Sequence, residues 1–260
     1  MVMPVETPTQ SHRELELLDA LRRLGGSARS AELAKSLDVS EETIRRVIKS
    51  LAGAGLVERV HGGAYLTGGQ NDPSFITRIT QNPQEKRRAA ECAATLVENG
   101  MTVFLDVGST TAFVAEELQQ KSNLTVVTNS LGVAQSLIGH NNNRVHFLGG
   151  ELHSNERGTF GFVTERQARR FAFDVSFLSA DALSSKRGFL YLNPSEASLT
   201  EVVLDSSEIT AVVLDHHKFG ALAPHCGVDP TRITHVATDL CPEGELADAL
   251  SSWGIEVLSP

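Results

Sequence analysis

The chain has 260 residues, 41% of them hydrophobic and 21% charged, with a formal net charge of −9, which allows one or two globular domains with sizeable cores. Three scattered cysteines, Cys92, Cys226 and Cys241, form no CxxC pair, which argues against a disulfide framework or cysteine zinc site and fits a reducing cytoplasm. No secretory signal and no run of about 18 apolar residues is seen, so neither export nor a membrane span is expected.

Residues 1–70 carry nine Lys/Arg and nine Asp/Glu and are formally neutral, so residues 71–260 carry the whole −9. The acidic total argues against non-specific nucleic-acid binding by the whole chain, but a neutral domain can still have a basic face. Ser11-His12-Arg13-Glu14 has capping-box spacing, and Leu17, Leu18, Leu21 and Leu24 continue as a helical apolar stripe stopped by Gly25-Gly26. Ser30 can cap a second short helix through Leu37. Asp38-Val39 turns the chain, and Ser40 caps a third helix with Glu41 and Glu42 near its positive end.

On that third helix Ile44, Val47, Ile48 and Leu51 fall at i, i+3, i+4 and i+7, one continuous face. Arg45, Arg46 and Lys49 land on the opposite side. "LVERVHGGAYL" then reads as two short strands about a glycine turn. Three helices followed by a hairpin is the order of a winged helix-turn-helix, whose third helix enters the major groove. The alternative is a solvated basic face on an ordinary three-helix bundle.

These residues also carry a resemblance. "AELAKSLDVSEETIRRVIKSLAGAGLVERVHGGA" resembles the DNA-binding signature of the DeoR family of bacterial transcriptional regulators, with Val39-Ser40, Thr43 to Arg46 and His61 to Ala64 in place. Val47 stands where the family usually has Asp, at a position that faces the core. The resemblance implies a winged helix-turn-helix over residues 12–66. Ser40, Glu42, Thr43, Arg45, Arg46 and Lys49 on its third helix, and Arg59 and His61 on its hairpin, would face operator DNA.

Residues 67–82, TGGQNDPSFITRITQN, read as a polar linker. From residue 83 to 260 strands and helices alternate, which implies an α/β domain with a largely parallel sheet. The expected strands are "TVFLDVG", "LTVVT", "RVHFLGG", "DVSFLSA", "TAVVLD" and "THVAT", and a helix is expected from Pro83 to about Glu98. Ligands of such sheets bind outside the carboxyl ends of the strands. Gly108-Ser109-Thr110-Thr111 follows the first strand and opens a helix, where free N–H groups, hydroxyls and the helix dipole can meet an anion. Thr128-Asn129-Ser130 repeats that pattern, Gly149-Gly150 allows close backbone approach after a third strand, and Lys218 follows a fourth.

Each feature alone is also what an ordinary helix cap or solvated lysine looks like. Glu151 and Glu196 are either sugar-hydroxyl acceptors or surface carboxylates. His216-His217 beside Asp215 lacks a third ligand of suitable spacing, so no metal is expected.

"FLDVGSTT", "VVTNS", "LGG", "DVSFLSADAL" and "VVLDHHKFG" are similar to the pocket motifs of the DeoR effector domain, which shares the fold of ribose-phosphate isomerases and glucosamine-phosphate deaminases. Family members also have a Phe-x-x-Arg followed by Glu-Lys, matched by Phe75, Arg78, Glu85 and Lys86. The likeness covers about residues 12 to 240. It implies that Asp106, the Gly108–Thr111 loop, Thr128-Asn129-Ser130, Gly149, Gly150, Glu151, Glu196 and Lys218 hold a phosphorylated sugar. The expected partners are operator DNA, that effector and further copies of the chain, as dimer or tetramer, with no cofactor and no catalytic residue. The other function considered is a sugar-phosphate isomerase or deaminase fused to a DNA-binding domain, with Asp106, Asp181 and His216 as its candidate acids or bases.

Overall fold

A computed structural model describes residues 11–24, 27–60, 62–66 and 75–260, and the chain divides into two compact units at Asp72/Pro73. The first contains α1 (His12–Arg23), β1 (Ser27–Arg29), α2 (Ser30–Ser36), α3 (Glu41–Gly53), β2 (Val57–Val60) and β3 (Gly63–Leu66). The capping box forms as the sequence suggests: the Ser11 N–H donates to Glu14 at 2.7 Å and the Glu14 N–H to Ser11 Oγ at 3.3 Å. Leu17 and Leu21 are fully buried with Leu33, Ile44, Leu51 and Val57. Leu24 departs from the expected stripe and is exposed, because α1 ends one residue before it.

α2 also differs from expectation at its start. Its cap is Arg29, whose N–H donates to the Glu32 carboxylate at 2.9 Å. Ser30 is the first helical residue, and its N–H is given to the Gly62 carbonyl at 2.8 Å, which ties α2 to the hairpin. β2 and β3 are antiparallel, and the short β1, which the sequence did not announce, joins β3 to make a three-stranded sheet.

The second unit contains α4 (Phe75–Thr80), α5 (Pro83–Ala94), β4 (Thr102–Leu105), α6 (Ser109–Glu117), β5 (Thr125–Thr128), α7 (Leu131–Leu137) and β6 (Arg144–Phe147). It continues with β7 (Glu151–His153), β8 (Gly158–Phe160), α8 (Phe162–Ala168), β9 (Phe173–Leu178), β10 (Ala182–Ser184), β11 (Gly188–Tyr191) and α9 (Pro194–Leu204). β12 (Ser207–Val213), β13 (His225–Cys226), β14 (His235–Ala237), α10 (Gly244–Ser252) and β15 (Glu256–Leu258) complete it. Seven strands form one sheet in the order β15-β14-β12-β9-β4-β5-β6, and every pairing is parallel.

Both faces of that sheet are covered, which is why its strands read as nearly continuous apolar runs. Val103, Leu105, Val126, Phe177 and Val213 pack on one side with Ala89, Ala90 and Ala93 of α5, Val114 of α6 and Leu137 of α7. Phe104, Phe173, Leu178 and Val212 pack on the other with Ala168 of α8, Leu199 and Val203 of α9 and Leu250 of α10. Each such fully buried side chain contributes roughly 1.5–3 kcal/mol against leaving it exposed.

The reading of residues 67–82 as a linker is corrected in its second half. Phe75–Thr80 is the helix α4, with Phe75 buried and its N–H donated to the Asn155 carbonyl at 2.9 Å. Residues 67–74 lie outside the described residues. α5 ends at Ala94, four residues before the expected Glu98.

Candidate functional site

The basic surface forms on α3. Ile44, Ile48 and Leu51 are buried beneath it, Val47 is half-buried, and Arg45, Arg46 and Lys49 are exposed on the opposite side. Ser40 fixes the start of the helix: its Oγ accepts the Thr43 N–H at 3.2 Å and shares a 2.9 Å hydrogen bond with Thr43 Oγ1. Arg45 lies back along the helix toward Glu41 at 2.9 Å and Glu42 at 3.6 Å. Exposed pairs of this kind are worth about 0.2–1 kcal/mol, so a phosphate could displace them at little cost. Among the described residues Arg46 and Lys49 form no ion pair, so their charge is uncompensated. Arg59 is exposed on β2, and His61 lies outside the described residues.

The second site lies at the carboxyl ends of β4, β5, β9 and β12. After β4 the Gly108 N–H donates to Thr111 Oγ1 at 2.8 Å, while the Thr111 hydroxyl hydrogen is shared by the Gly108 and Asp106 carbonyls at 2.9 and 3.0 Å. A Cβ on Gly108 would stand 2.7 Å from Ser179 Cβ, so only glycine fits this close approach. The nearly buried Ser109 and Thr110 then begin α6, where unsatisfied N–H groups and the positive end of the helix dipole make a seat for an anion.

Ser179, at the end of β9, ties the neighbouring strand to this loop. Its N–H and its hydroxyl both donate to Asp106 Oδ2, at 2.5 and 2.7 Å. Asp106 Oδ1 is buried and has no hydrogen-bond partner among the described residues. Burial pushes the Asp106 carboxyl up to about 6, against the pull of the Ser179 donors.

The next loop is built from its own hydroxyls. Thr128 Oγ1 donates to the Leu105 carbonyl at 2.7 Å and accepts the Ser130 N–H at 3.0 Å, and Ser130 Oγ caps α7 by accepting the Val133 N–H at 3.3 Å. Asn129 Nδ2 donates to the Thr159 carbonyl at 2.9 Å, and Asn129 Oδ1 is buried with no partner among the described residues. The hydroxyls of Thr111, Thr128 and Ser130, assigned from sequence to the effector, are thus engaged within the chain.

Gly149 and Gly150 follow β6, as the sequence suggests, and make close contacts within the chain. The Gly149 N–H donates to Gln167 Oε1 at 3.1 Å and its carbonyl accepts from Thr164 Oγ1 at 3.0 Å. A Cβ on Gly150, at φ 152°, would stand 2.3 Å from Thr164 Oγ1. These glycines let the turn pack on α8, and Glu151 is exposed on β7. No hydrogen bond or ion pair among the described residues joins the three to the charged groups beside Asp106.

Those charged groups come from distant parts of the chain. Lys218, in the turn His216–Lys218 after β12, has its Nζ 3.9 Å from Asp181 Oδ1, and Asp181 Oδ2 accepts the Leu192 N–H at 2.8 Å. The half-buried Glu196, on α9, has its carboxyl held well above its ordinary range by burial and by the Asp181 and Glu156 carboxylates. Arg78 of α4 forms an ion pair with Glu156 of the β7–β8 turn, both side chains nearly buried. Lys86 of α5 donates to the Arg78 carbonyl at 2.6 Å, and burial lowers its ammonium to about 8, which the Asp215 carboxylate opposes. Asp215 and Asp239 hold His217 and His216 through Nδ1 at 3.0 and 2.8 Å. No cluster able to hold a metal ion is found among the described residues.

Arg78, Lys86, Glu156, Ser179 and Asp215 were not picked as site residues from sequence. Arg78 and Lys86 stand in the Phe75-x-x-Arg78, Glu85-Lys86 pattern, and Ser179 and Asp215 in the motifs "DVSFLSADAL" and "VVLDHHKFG". A separate cavity of about 550 Å3, lined by Ser198, Glu201, His225, Cys226 and Arg232 among others, contains none of the expected site residues.

A helix with an exposed basic face in a winged helix-turn-helix, followed by a parallel α/β unit, defines the class of a DNA-binding transcriptional regulator. The chain belongs to the DeoR family: residues 13–68 match the DeoR-like helix-turn-helix domain and residues 81–240 the DeoR C terminal sensor domain. It is 30% identical over 248 residues to the glycerol-3-phosphate regulon repressor of Escherichia coli (strain K12), covering 95% of this chain and 98% of that protein. The HTH-type transcriptional repressor CsqR of the same organism is 31% identical over 254 residues, 98% of this chain and 96% of its own. Among solved structures, ribose 5-phosphate isomerase A from Methanocaldococcus jannaschii aligns over 54% of this chain and 55% of its own, at 17% identity and a TM-score of 0.40, too distant to bear on function.

Proposed function

We propose that the chain represses a carbohydrate catabolic operon and leaves its operator when a phosphorylated sugar metabolite occupies the strand-end site. The observation that carries this is the exposed Arg46 and Lys49 face of α3, opposite the apolar face of Ile44, Ile48 and Leu51 and free of internal ion pairs among the described residues. Arg46 suits a bidentate contact to a guanine edge or a phosphate, with Lys49 as a point charge beside it. In the second unit the N–H groups of Ser109 and Thr110 and the ammonium of Lys218 would take the effector's phosphate. The partnerless oxygens of Asp106 and Asn129 would accept its hydroxyls.

The chain would act as a dimer or tetramer in the cytoplasm, since paired half-sites call for paired helices. No helix among the described residues is long and apolar enough to cross a membrane. The test is fluorescence anisotropy on an operator selected by the full chain from random DNA, with and without glycerol 3-phosphate, ribose 5-phosphate and other phosphorylated sugars. Tight, sequence-selective binding that one of them releases is the expected result; indifference to all would sink the effector half of the proposal.

The enzyme reading has one observation in its favour, the raised carboxyl of Asp106 in the site. Against it, Asp106 Oδ2 is held by two Ser179 donors, and the relatives above are named as repressors. Conversion of ribose 5-phosphate to a ketose by the purified chain would favour the enzyme.

A further inference from the structure

α4 has only six residues, too few to be stable alone, so what holds it decides where it sits. Among the described residues four contacts contribute, beside the packing of Ile79 on the core of this unit. Phe75 is buried, with its ring atom 3.2 Å from the position a Cβ on Gly132 of α7 would take, and its N–H bonds the Asn155 carbonyl of the β7–β8 turn. Arg78 pairs with Glu156 of the same turn, and Lys86 grips the Arg78 carbonyl. Two of these anchors thus run through Arg78. α4 packs against α6, whose first turn opens the strand-end site, and the Arg78 guanidinium also acts electrostatically on Asp106 and Glu196.

A nearly buried Arg–Glu pair persists only while each charge keeps a partner. A phosphate arriving at the start of α6 offers the guanidinium fork a second partner, with geometry that suits it at least as well as a carboxylate. We propose that Arg78 is a positioning residue that exchanges Glu156 for the effector's phosphate, so that occupancy of the strand-end site shifts α4, the first described element after the chain leaves the DNA-binding unit. This rests on the strand-end site being the effector site. Once Arg78 turns away, the β7–β8 turn loses one of its holds on α4, and Lys86 carries the shift into α5 through the Arg78 carbonyl.

The experiment uses the full chain and the double variant Arg78→Gln, Glu156→Gln, which keeps a hydrogen-bonding pair at the position and removes both charges. Operator affinity is measured without and with saturating glycerol 3-phosphate, ribose 5-phosphate and inorganic phosphate, with occupancy checked by calorimetry. Wild type should lose operator affinity by roughly 5- to 150-fold on saturation, the usual size of such coupling. The double variant should bind operator within about twofold of wild type, still take up the phosphate compound, and change its operator affinity less than twofold. Arg78→Lys, which keeps the charge and loses the fork, should fall between them. A double variant that responds as fully as wild type overturns the inference and leaves the effector reading standing. A double variant that no longer binds operator without phosphate also overturns it, because α4 would then be scaffold and not switch. A wild type that answers to none of the three compounds sinks the effector reading and this inference together.

Discussion

Replacing Asp106 by Asn tests the strand-end site through its electrostatics, without knowing the effector. The carboxyl is nearly buried and Oδ1 has no partner, so ionisation there lacks the compensation that Oδ2 receives from Ser179. A rise from 3.8 to about 6 means the folded chain binds this proton more tightly than the unfolded chain does. Stability therefore falls as pH rises through that window: the cost is absent below 3.8 and complete above about 6. At about 1.36 kcal/mol per unit, the full cost is about 3 kcal/mol, of which about 2 kcal/mol accrues between pH 4.5 and 8. Asn keeps an oxygen for the Ser179 donors and cannot ionise. Any penalty for its buried amide is independent of pH and drops out of the slope. Urea unfolding followed at Trp253, the chain's single tryptophan, which packs on the core of the second unit, gives both curves. The stability of Asp106→Asn minus that of wild type should climb by about 2 kcal/mol across that range. A flat difference would refute the burial argument, and a falling one would mean that Asp106 is stabilised as an anion.

Arg46→Ala should weaken operator binding by roughly 1–3 kcal/mol in anisotropy titrations, and Arg45→Ala by less because Glu41 and Glu42 already share its charge; unchanged affinity in a folded double variant would remove α3 from the DNA surface. Binding should fall steeply with salt, by about 0.9 in the log–log slope for each phosphate neutralised, and residues 1–70 alone should bind more weakly than the full chain. Lys218→Ala should lower affinity for a phosphorylated sugar by about ten- to a hundredfold in calorimetry, leave effector-free operator binding near wild type, and change little for the unphosphorylated sugar. Equal affinity of Lys218→Ala for the phosphorylated sugar would place the phosphate away from Lys218.

What could be read from the sequence was what depends on near neighbours along the chain. The Ser11–Glu14 and Ser40–Thr43 caps, the Ile44-Ile48-Leu51 face and the apolar strand runs are each fixed within a few residues, and each formed as expected. β1 and β15, among other short strands, are not announced by the sequence. Gly149-Gly150 is ambiguous for a different reason. A glycine pair after a strand marks close approach without saying of what, and here the answer is Thr164 and Gln167 of a helix that returns to the turn.

The hydroxyls show the same ambiguity at finer scale. A Ser or Thr at the start of a helix has partners within reach in its own loop, and Thr111, Thr128 and Ser130 use them. What such a loop leaves for a ligand is its remaining N–H groups and any oxygen the fold strands, so the useful signal is a missing partner rather than a residue type. Asp106 Oδ1 and Asn129 Oδ1 carry that signal, and it appears only once the chain is folded. The charged neighbours were hidden more deeply still. Arg78 meets Glu156 across 78 residues of sequence, from a stretch whose polar composition reads as linker, and no periodicity links the two. If the pair is the switch argued above, its concealment has a physical basis. A contact that must yield to a ligand includes an exchangeable ion pair, and neither a stripe of apolar residues nor a cap would announce it.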